Sequence, residues 1–108
     1  MSDLTLEDFK KTQLRAAKIL DAQEIPGADR LWRVDIDLGA EKKTVVAGIK
    51  KFYSREELLG KMVVVVTNLV PSIIRGVESQ GMLLAAKDGD KLTLLTLDKE
   101  ISAGGPIG

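Results

Sequence analysis

The residue types that carry most enzyme chemistry are scarce in this chain of 108 residues. The sequence contains neither histidine nor cysteine, which removes zinc sites built on nitrogen or sulfur ligands and the conventional catalytic triads. Asp35 and Asp37 could form an acid–base or metal pair, but they alternate with apolar residues as the solvated face of a strand does. The segment between Gly76 and Gly81 lacks the Gly-Lys-Ser/Thr ending of a phosphate-gripping loop. We therefore expect a binding module rather than an enzyme, with no metal site and no cofactor.

Two loops carry polar side chains that could bind a ligand. The first, residues 25–30, contains a Pro-Gly turn followed by Asp29 and Arg30, and it leads directly into a strand. The second, residues 68–82, is long for a connection in a compact domain, and long ordered loops are often functional. The first loop could also be a plain β-turn with a surface ion pair. In the second, three apolar residues could plug a barrel or meet a partner subunit: Ile73, Ile74 and Val77. That alternative does not account for the polar residues of the same loop, which are Arg75, Ser79 and Gln80.

The charge pattern bears on nucleic-acid binding. The formal net charge is zero, from 16 basic and 16 acidic residues, which argues against a nonspecific polyelectrolyte binder. Between Lys42 and Lys61, six basic residues stand against two acidic ones, which is compatible with a local positive face and equally with ordinary solvating charges. Aromatic residues, the usual stacking platforms for single strands, are few, and only Phe52 and Tyr53 lie among basic residues. This composition favours recognition of RNA shape through phosphates and 2′-hydroxyls.

The elements that would position these loops are mostly strands. Residues 31–38 alternate between apolar and charged side chains, which predicts a half-buried strand with Trp32 in the core. Residues 61–67 contain four consecutive valines, which favour a strand buried on both faces. The Asp88-Gly89 step predicts a hairpin turn. Shorter strands are predicted at residues 44–47, 82–86 and 91–97.

One short helix and one ambiguous segment complete the pattern. Ser54 and Glu57 form a capping box, and Gly60 stands where a helix end favours positive φ. Residues 13–23 favour a helix by propensity, but they can also be a strand whose alternation slips at Ala16-Ala17, as a β-bulge would produce. The order of strands, short helix, strand and hairpin is typical of an all-β, Greek-key barrel of the OB type, with one short helix between strands three and four.

The chain is long enough for one domain. We expect a compact body over residues 13–101, preceded by an N-terminal extension, residues 1–12, and followed by a loosely held C-terminal tail, residues 102–108. In the extension, Leu4, Leu6 and Phe9 are possible anchors. No apolar stretch approaches a transmembrane length and no signal peptide is visible, so we expect a cytoplasmic protein with no membrane partner.

Three stretches of the chain closely resemble the transfer-RNA-binding domain family. They are residues 46–54 (VAGIKKFYS), residues 57–61 (ELLGK) and, most specifically, residues 76–86 (GVESQGMLLAA). The resemblance extends over about residues 8–101. The family includes the C-terminal domain of methionyl-tRNA synthetases, their separate archaeal counterparts and the domain of endothelial monocyte-activating polypeptide II. It implies an OB barrel in which residues 13–23 form a bulged first strand. It also implies binding of tRNA by shape, often as a homodimer that assists methionyl-tRNA synthetase.

The resemblance and the loop positions together predict an RNA-binding face. Family binding positions correspond here to Gly27, Arg30, Lys50, Lys51, Ser79 and Met82. In an OB barrel the two loops described above converge beside the same strands, which adds Arg75 and Gln80 to the set. Ser79 and Gln80 are expected to donate hydrogen bonds to phosphate or ribose.

The chain departs from the family pattern at several loop positions. Many members have Asn at position 27, Asp at position 13 and Met at position 75, and many carry lysines where this chain has Val70 and Ile73. The absence of these two lysines predicts weaker binding to phosphate, which Arg75 offsets in part. Because a related small OB-fold family acts as an export-linked chaperone, a protein-interaction or chaperone-like module is the alternative function.

Overall fold

The computed structural model describes residues 2–108 and is built mostly of short strands. Two helices, α1 (Leu6–Phe9) and α2 (Arg55–Leu58), accompany ten strands, and α2 lies between the third strand and the fourth. The strands are β1 (Leu14–Glu24), β2 (Trp32–Asp37), β3 (Lys42–Ala47), β4 (Met62–Val66), β5 (Ser72–Ile74), β6 (Val77–Ser79), β7 (Met82–Leu83), β8 (Ala85–Asp88), β9 (Lys91–Leu94) and β10 (Pro106–Ile107). The all-β prediction and the position of the helix are confirmed.

The main sheet curls into a nearly closed barrel. Its hydrogen-bonded order is β3-β2-β1-β4-β7, every pair is antiparallel, and β10 pairs with β1 beside this path. Two hairpins, β5–β6 and β8–β9, extend from it. This is the architecture of an OB-like barrel, as predicted.

Strand β1 links the two halves of the barrel. Its residues Leu14–Lys18 pair with β4, and its residues from Lys18 to Glu24 pair with β2. The prediction of a strand for this segment is therefore confirmed. The register shift lies between Ile19 and Asp21 rather than at Ala16-Ala17. Both alanines are buried: Ala17 lies in the core, and Ala16 lies beside the C-terminal segment, its N–H donating to Gly105 O at 2.8 Å.

The core lies inside the barrel and is made of aliphatic residues, most of them from β1 to β4. Ile19, Val34, Ile36, Val45 and Leu58 are among its most deeply buried side chains. The run of valines in β4 is buried at every position, which confirms the prediction of a strand covered on both faces. Trp32 is also buried, and its Nε1 donates to Tyr53 O at 2.9 Å. The core therefore fixes the strands from which the two predicted loops start.

The local signals for turns and caps are confirmed. Ser54 Oγ accepts from Glu57 N at 3.2 Å and Glu57 Oε1 accepts from Ser54 N at 2.9 Å, which is the predicted capping box. Gly60 has a φ of 82° at the end of the helix. The β8–β9 hairpin turns at Gly89-Asp90, because Asp88 pairs with Lys91.

The C-terminal segment contradicts the expectation of a loosely held tail. Gly104 N donates to Ala16 O at 2.7 Å, and Pro106 and Ile107 pair with the first residues of β1. A Cβ at Gly104 would lie 2.1 Å from Leu38 O, so the chain passes there too closely for any other residue. The segment is held because it supplies partners to backbone groups at the start of β1.

The N-terminal extension contains α1, capped by Thr5 Oγ1, which accepts from Asp8 N at 3.1 Å. Leu4, Leu6 and Phe9 are exposed, so they do not anchor the extension to the core. Asn68 holds its end, since Asn68 Nδ2 donates to Lys11 O at 2.6 Å. Neither helix of residues 2–108 has the length and apolar character needed to cross a membrane.

Candidate functional site

A shallow groove forms where the first loop meets the β5–β6 hairpin. It has a volume of about 350 Å³ and is lined by residues 27–31 together with Arg75. The predicted convergence of these two loops is thus present for Gly27, Arg30 and Arg75. Gly27 has a φ of 78°, and the turn is closed by the hydrogen bond from Ala28 N to Ile25 O at 3.0 Å. Asn tolerates that conformation better than most residues, which fits its frequency at this position in the family that the sequence resembles.

Arg75 stands at the tip of the hairpin that forms most of the second loop. Ile74 pairs with Val77, so Arg75 and Gly76 make a two-residue turn, with φ values of 53° and 81°. Positive φ at both central residues is the type I′ arrangement, whose twist suits a tight hairpin. Arg75 is exposed, and within residues 2–108 it forms no ion pair. Its guanidinium is therefore available to a ligand.

The turn after β3 brings two lysines to the same region. Lys50 N donates to Arg30 O at 3.2 Å, which ties this turn to the first loop. The Lys50 ammonium lies 2.9 Å from Glu24 Oε1 and 5.2 Å from the centre of the Trp32 ring. Lys51 is exposed and, like Arg30, makes no ion pair within the described residues. We name Arg30, Lys50, Lys51 and Arg75 the basic rim.

Ser79 and Gln80 lie at the seam that closes the barrel between β3 and β6. Ser79 is 5% exposed; its Oγ accepts from Val46 N at 2.9 Å and donates to Gly81 O at 3.2 Å. Gln80 N donates to Thr44 O at 2.8 Å, and Gln80 Oε1 accepts from Thr44 N at 3.0 Å. The two side chains thus satisfy the edge of β3, a role that sequence reasoning missed. The Ser79 hydroxyl hydrogen is already committed to a carbonyl.

The next two residues of the same motif also lie away from the groove. A Cβ at Gly81 would lie 2.8 Å from Val66 O, so only glycine lets the strands meet there. Met82 is exposed on β7 opposite Val66, and it is not among the residues that line the groove. The predicted site therefore divides into a basic rim around the first loop and a set of residues at the barrel seam.

The carboxylates considered for catalysis have structural partners. Asp35 Oδ1 accepts from Thr44 Oγ1 at 2.9 Å, and Asp37 Oδ1 accepts from Gly39 N at 2.8 Å. Within residues 2–108 no group of three or more His, Cys, Asp or Glu side chains could hold a metal ion.

A further ion pair near α2 was not foreseen from the sequence. Arg55 donates to Asp21 Oδ1 through Nη2 at 2.7 Å and Nε at 3.0 Å. These bonds, and the one from Ala22 N, lower the pKa of Asp21 below its ordinary value of 3.8. The pair joins α2 to the irregular point of β1. The packing of α2 against β1 brings these residues together.

Comparisons with known proteins agree on one family. The family model described as "Putative tRNA binding domain" matches residues 14–106. The chain is 54% identical over 104 residues to the methionine–tRNA ligase of Thermotoga maritima, and 52% identical over 107 residues to that of Pyrococcus furiosus. These matches cover 96% and 99% of this chain but only 16% and 15% of the two ligases. The chain thus matches a small part of those enzymes.

Solved structures give the same likeness for the fold. A protein of Pyrococcus horikoshii described as related to methionyl-tRNA synthetase superposes with a TM-score of 0.94 at 34% identity, over the full length of both chains. The chaperone CsaA of Bacillus anthracis superposes with a TM-score of 0.89 at 29% identity, over 99% of this chain and all of the other.

Proposed function

The chain belongs to the tRNA-binding domain family, and from this premise we propose that it binds tRNA by shape through the basic rim. The observation that carries the proposal is the groove that Arg30 and Arg75 both line. The hydrogen bond from Lys50 N to Arg30 O joins this groove to the turn that carries the two lysines. Phosphate contacts from arginine and lysine supply most of the sequence-independent affinity for nucleic acids. We assign these contacts to Arg30, Lys51 and Arg75, with Lys50 as a fourth.

Recognition by shape rather than by base sequence follows from the aromatic side chains. Trp32 is buried beneath Lys50 and hydrogen-bonded to Tyr53 O, so its ring is not open to a base. Phe52 is exposed beside the lysines, and its ring could stack on a ribose or an end base. Ser79 and Gln80, which the sequence predicted to bind RNA, have a structural role in this proposal, since their side chains accept from backbone N–H groups of β3. Gly27 shapes the first loop, and Met82 would contact RNA only at the margin.

The family relatives suggest the setting of this activity. We propose that the module works in the cytoplasm beside methionyl-tRNA synthetase, as a separate subunit or paralogue, and that it has no catalytic activity of its own. We also propose that it forms a homodimer. Val70, beside the β5–β6 hairpin, is 90% exposed, and Ile73, on the hairpin, is 75% exposed, and exposed apolar residues of this kind mark an interface. Sedimentation at micromolar concentration tests the dimer, and a clean monomer would contradict it.

A protein-interaction function is the second candidate, and the same apolar residues favour it. Val70 and Ile73 are exposed at positions where the resembled pattern has lysines, and a chaperone is among the structural neighbours. If this function is correct, an unfolded-protein or peptide column retains the chain and total tRNA does not.

Gel shifts with total tRNA at two salt concentrations separate these functions. The variant Arg30→Ala with Lys51→Ala should weaken binding to all tRNAs alike and reduce the slope of log affinity against log salt by about 0.7–0.9 for each phosphate that is no longer neutralised. The matched control is Lys87→Ala with Lys91→Ala, which removes two exposed lysines from the β8–β9 hairpin. The double variant Lys50→Ala with Lys51→Ala should also weaken tRNA binding and reduce the salt slope. Equal binding by the rim variant and the control would refute the assignment to the basic rim.

A further inference from the structure

Lys50 differs from the other members of the basic rim because its ammonium already has two partners. Glu24 Oε1 lies 2.9 Å away and the Trp32 ring centre 5.2 Å away. The Lys50 side chain is only 22% exposed, whereas that of Glu24 is 72% exposed. The ammonium therefore lies between a buried ring and a solvated carboxylate.

This arrangement is held by the backbone. Glu24 pairs with Trp32 across β1 and β2, so the carboxylate and the indole are neighbours by strand register. The bond from Trp32 Nε1 to Tyr53 O fixes the orientation of the ring. The bond from Lys50 N to Arg30 O fixes the start of the lysine side chain. Strand register thus sets Glu24 beside Trp32, and separate hydrogen bonds anchor the indole ring and the backbone of Lys50.

We propose that Glu24 limits the affinity of the interface for polyanions, because it holds Lys50 against Trp32 and competes with phosphate for the ammonium. This inference rests on the proposed function. A phosphate that binds the Lys50 ammonium must displace the Glu24 carboxylate, which lies 2.9 Å from it. The negative charge of Glu24 therefore opposes binding through its competition for Lys50.

The size of the effect follows from the exposure of the pair. Exposed ion pairs contribute little because water and salt screen them. Glu24→Gln should therefore tighten binding of total tRNA by about two- to fivefold at low salt. The gain should shrink as salt rises, because the Debye length falls from about 10 Å at 0.1 M to about 3 Å at 1 M.

A double-mutant cycle identifies Lys50 as the group through which Glu24 acts. In a Lys50→Ala background, Glu24→Gln should change affinity by much less than it does in the wild type. The matched control is Glu41→Gln, which also removes a carboxylate paired with a lysine, at 3.8 Å from Lys43 Nζ, at the opposite end of β3. If the gain came from net charge alone, Glu41→Gln would tighten binding as much as Glu24→Gln.

Trp32 provides a second readout, since it is the single tryptophan of the sequence. Its fluorescence should change when Lys50 leaves the ring. Glu24→Gln should alter the emission in the absence of RNA, and saturating tRNA should alter the wild-type emission in the same direction. Glu24→Gln with wild-type affinity, in a protein whose binding still depends on Arg30 and Lys51, would overturn the inference and leave the proposed function standing. Absence of tRNA binding by the wild type itself would instead overturn the proposed function.

Discussion

Replacing Ser79 by alanine separates a structural role from a role in RNA binding. The Ser79 hydroxyl accepts from Val46 N at 2.9 Å and donates to Gly81 O at 3.2 Å, at a position 5% exposed to solvent. The alanine variant leaves the Val46 N–H without a partner in the seam between β3 and β6. An unsatisfied group of this kind costs about 1–3 kcal/mol of folding free energy. For a domain of this size each kcal/mol lowers the melting temperature by about 4–8 °C.

Thermal unfolding followed by circular dichroism measures this loss, and tRNA binding well below the transition measures the other role. Ser72→Ala is the matched control, because Ser72 pairs with Ser79 across the hairpin but is exposed. That control should change stability by less than about 0.5 kcal/mol. We expect Ser79→Ala to melt earlier and to bind tRNA nearly as well as the wild type when folded. A variant with wild-type melting and weakened binding would show that the hydroxyl faces RNA and that the seam assignment is wrong.

Two further predictions concern the first strand. The hydrogen bonds from Arg55 and Ala22 N lower the pKa of Asp21 below 3.8 in the folded state. The ionised carboxylate therefore stabilises the fold at pH values above the pKa that Asp21 has in the unfolded chain. This stabilisation is lost as the pH falls through the lowered pKa of the folded state. Asp21→Asn should therefore destabilise the protein to urea at pH 7, by an amount that shrinks below about pH 4; a constant difference from pH 7 to pH 3 would contradict it. Truncation after Ile101 should speed hydrogen exchange at the Ala16 amide, which donates to Gly105 O at 2.8 Å, and should lower the melting temperature. An Ala16 amide with unchanged exchange would show that the C-terminal segment is not its main protection.

The features that the sequence predicts correctly are those decided by neighbours along the chain. The alternation around Trp32, the valines of β4, the Ser54 capping box and the Gly89 hairpin each depend on a few consecutive residues. The predicted position of the β1 irregularity was wrong because Ala16 and Ala17 are both buried, and Ala16 is hydrogen-bonded to a segment about 90 residues later, which a local pattern cannot reveal. The pairing of Glu24 with Lys50 was missed for the same reason, since it depends on strand register and on a turn two strands away.

The most specific part of the family resemblance, residues 76–86, bears mainly on the fold. Ser79 and Gln80 complete the hydrogen bonds of β3, and Gly81 permits the close approach of β4, so these three residues preserve the seam of the barrel. None of them lines the groove formed by the first loop and Arg75. A chain can therefore keep this motif, and with it the barrel, while its loops change.

The loops carry the charges on which the proposed RNA affinity depends, and they are where this chain departs from the resembled pattern. Val70 and Ile73 are exposed at positions where the resembled pattern has lysines, and Arg75 is exposed at the tip of a type I′ turn where that pattern has methionine. The seam and the rim are thus separable by mutation. Changes at the seam should act on stability, and changes at the rim should act on affinity and its salt dependence. If the rim variants are as stable as the wild type and bind tRNA with unchanged affinity, the exposed apolar residues on and beside the hairpin become the better candidate for the functional surface. The barrel would then bind a protein partner.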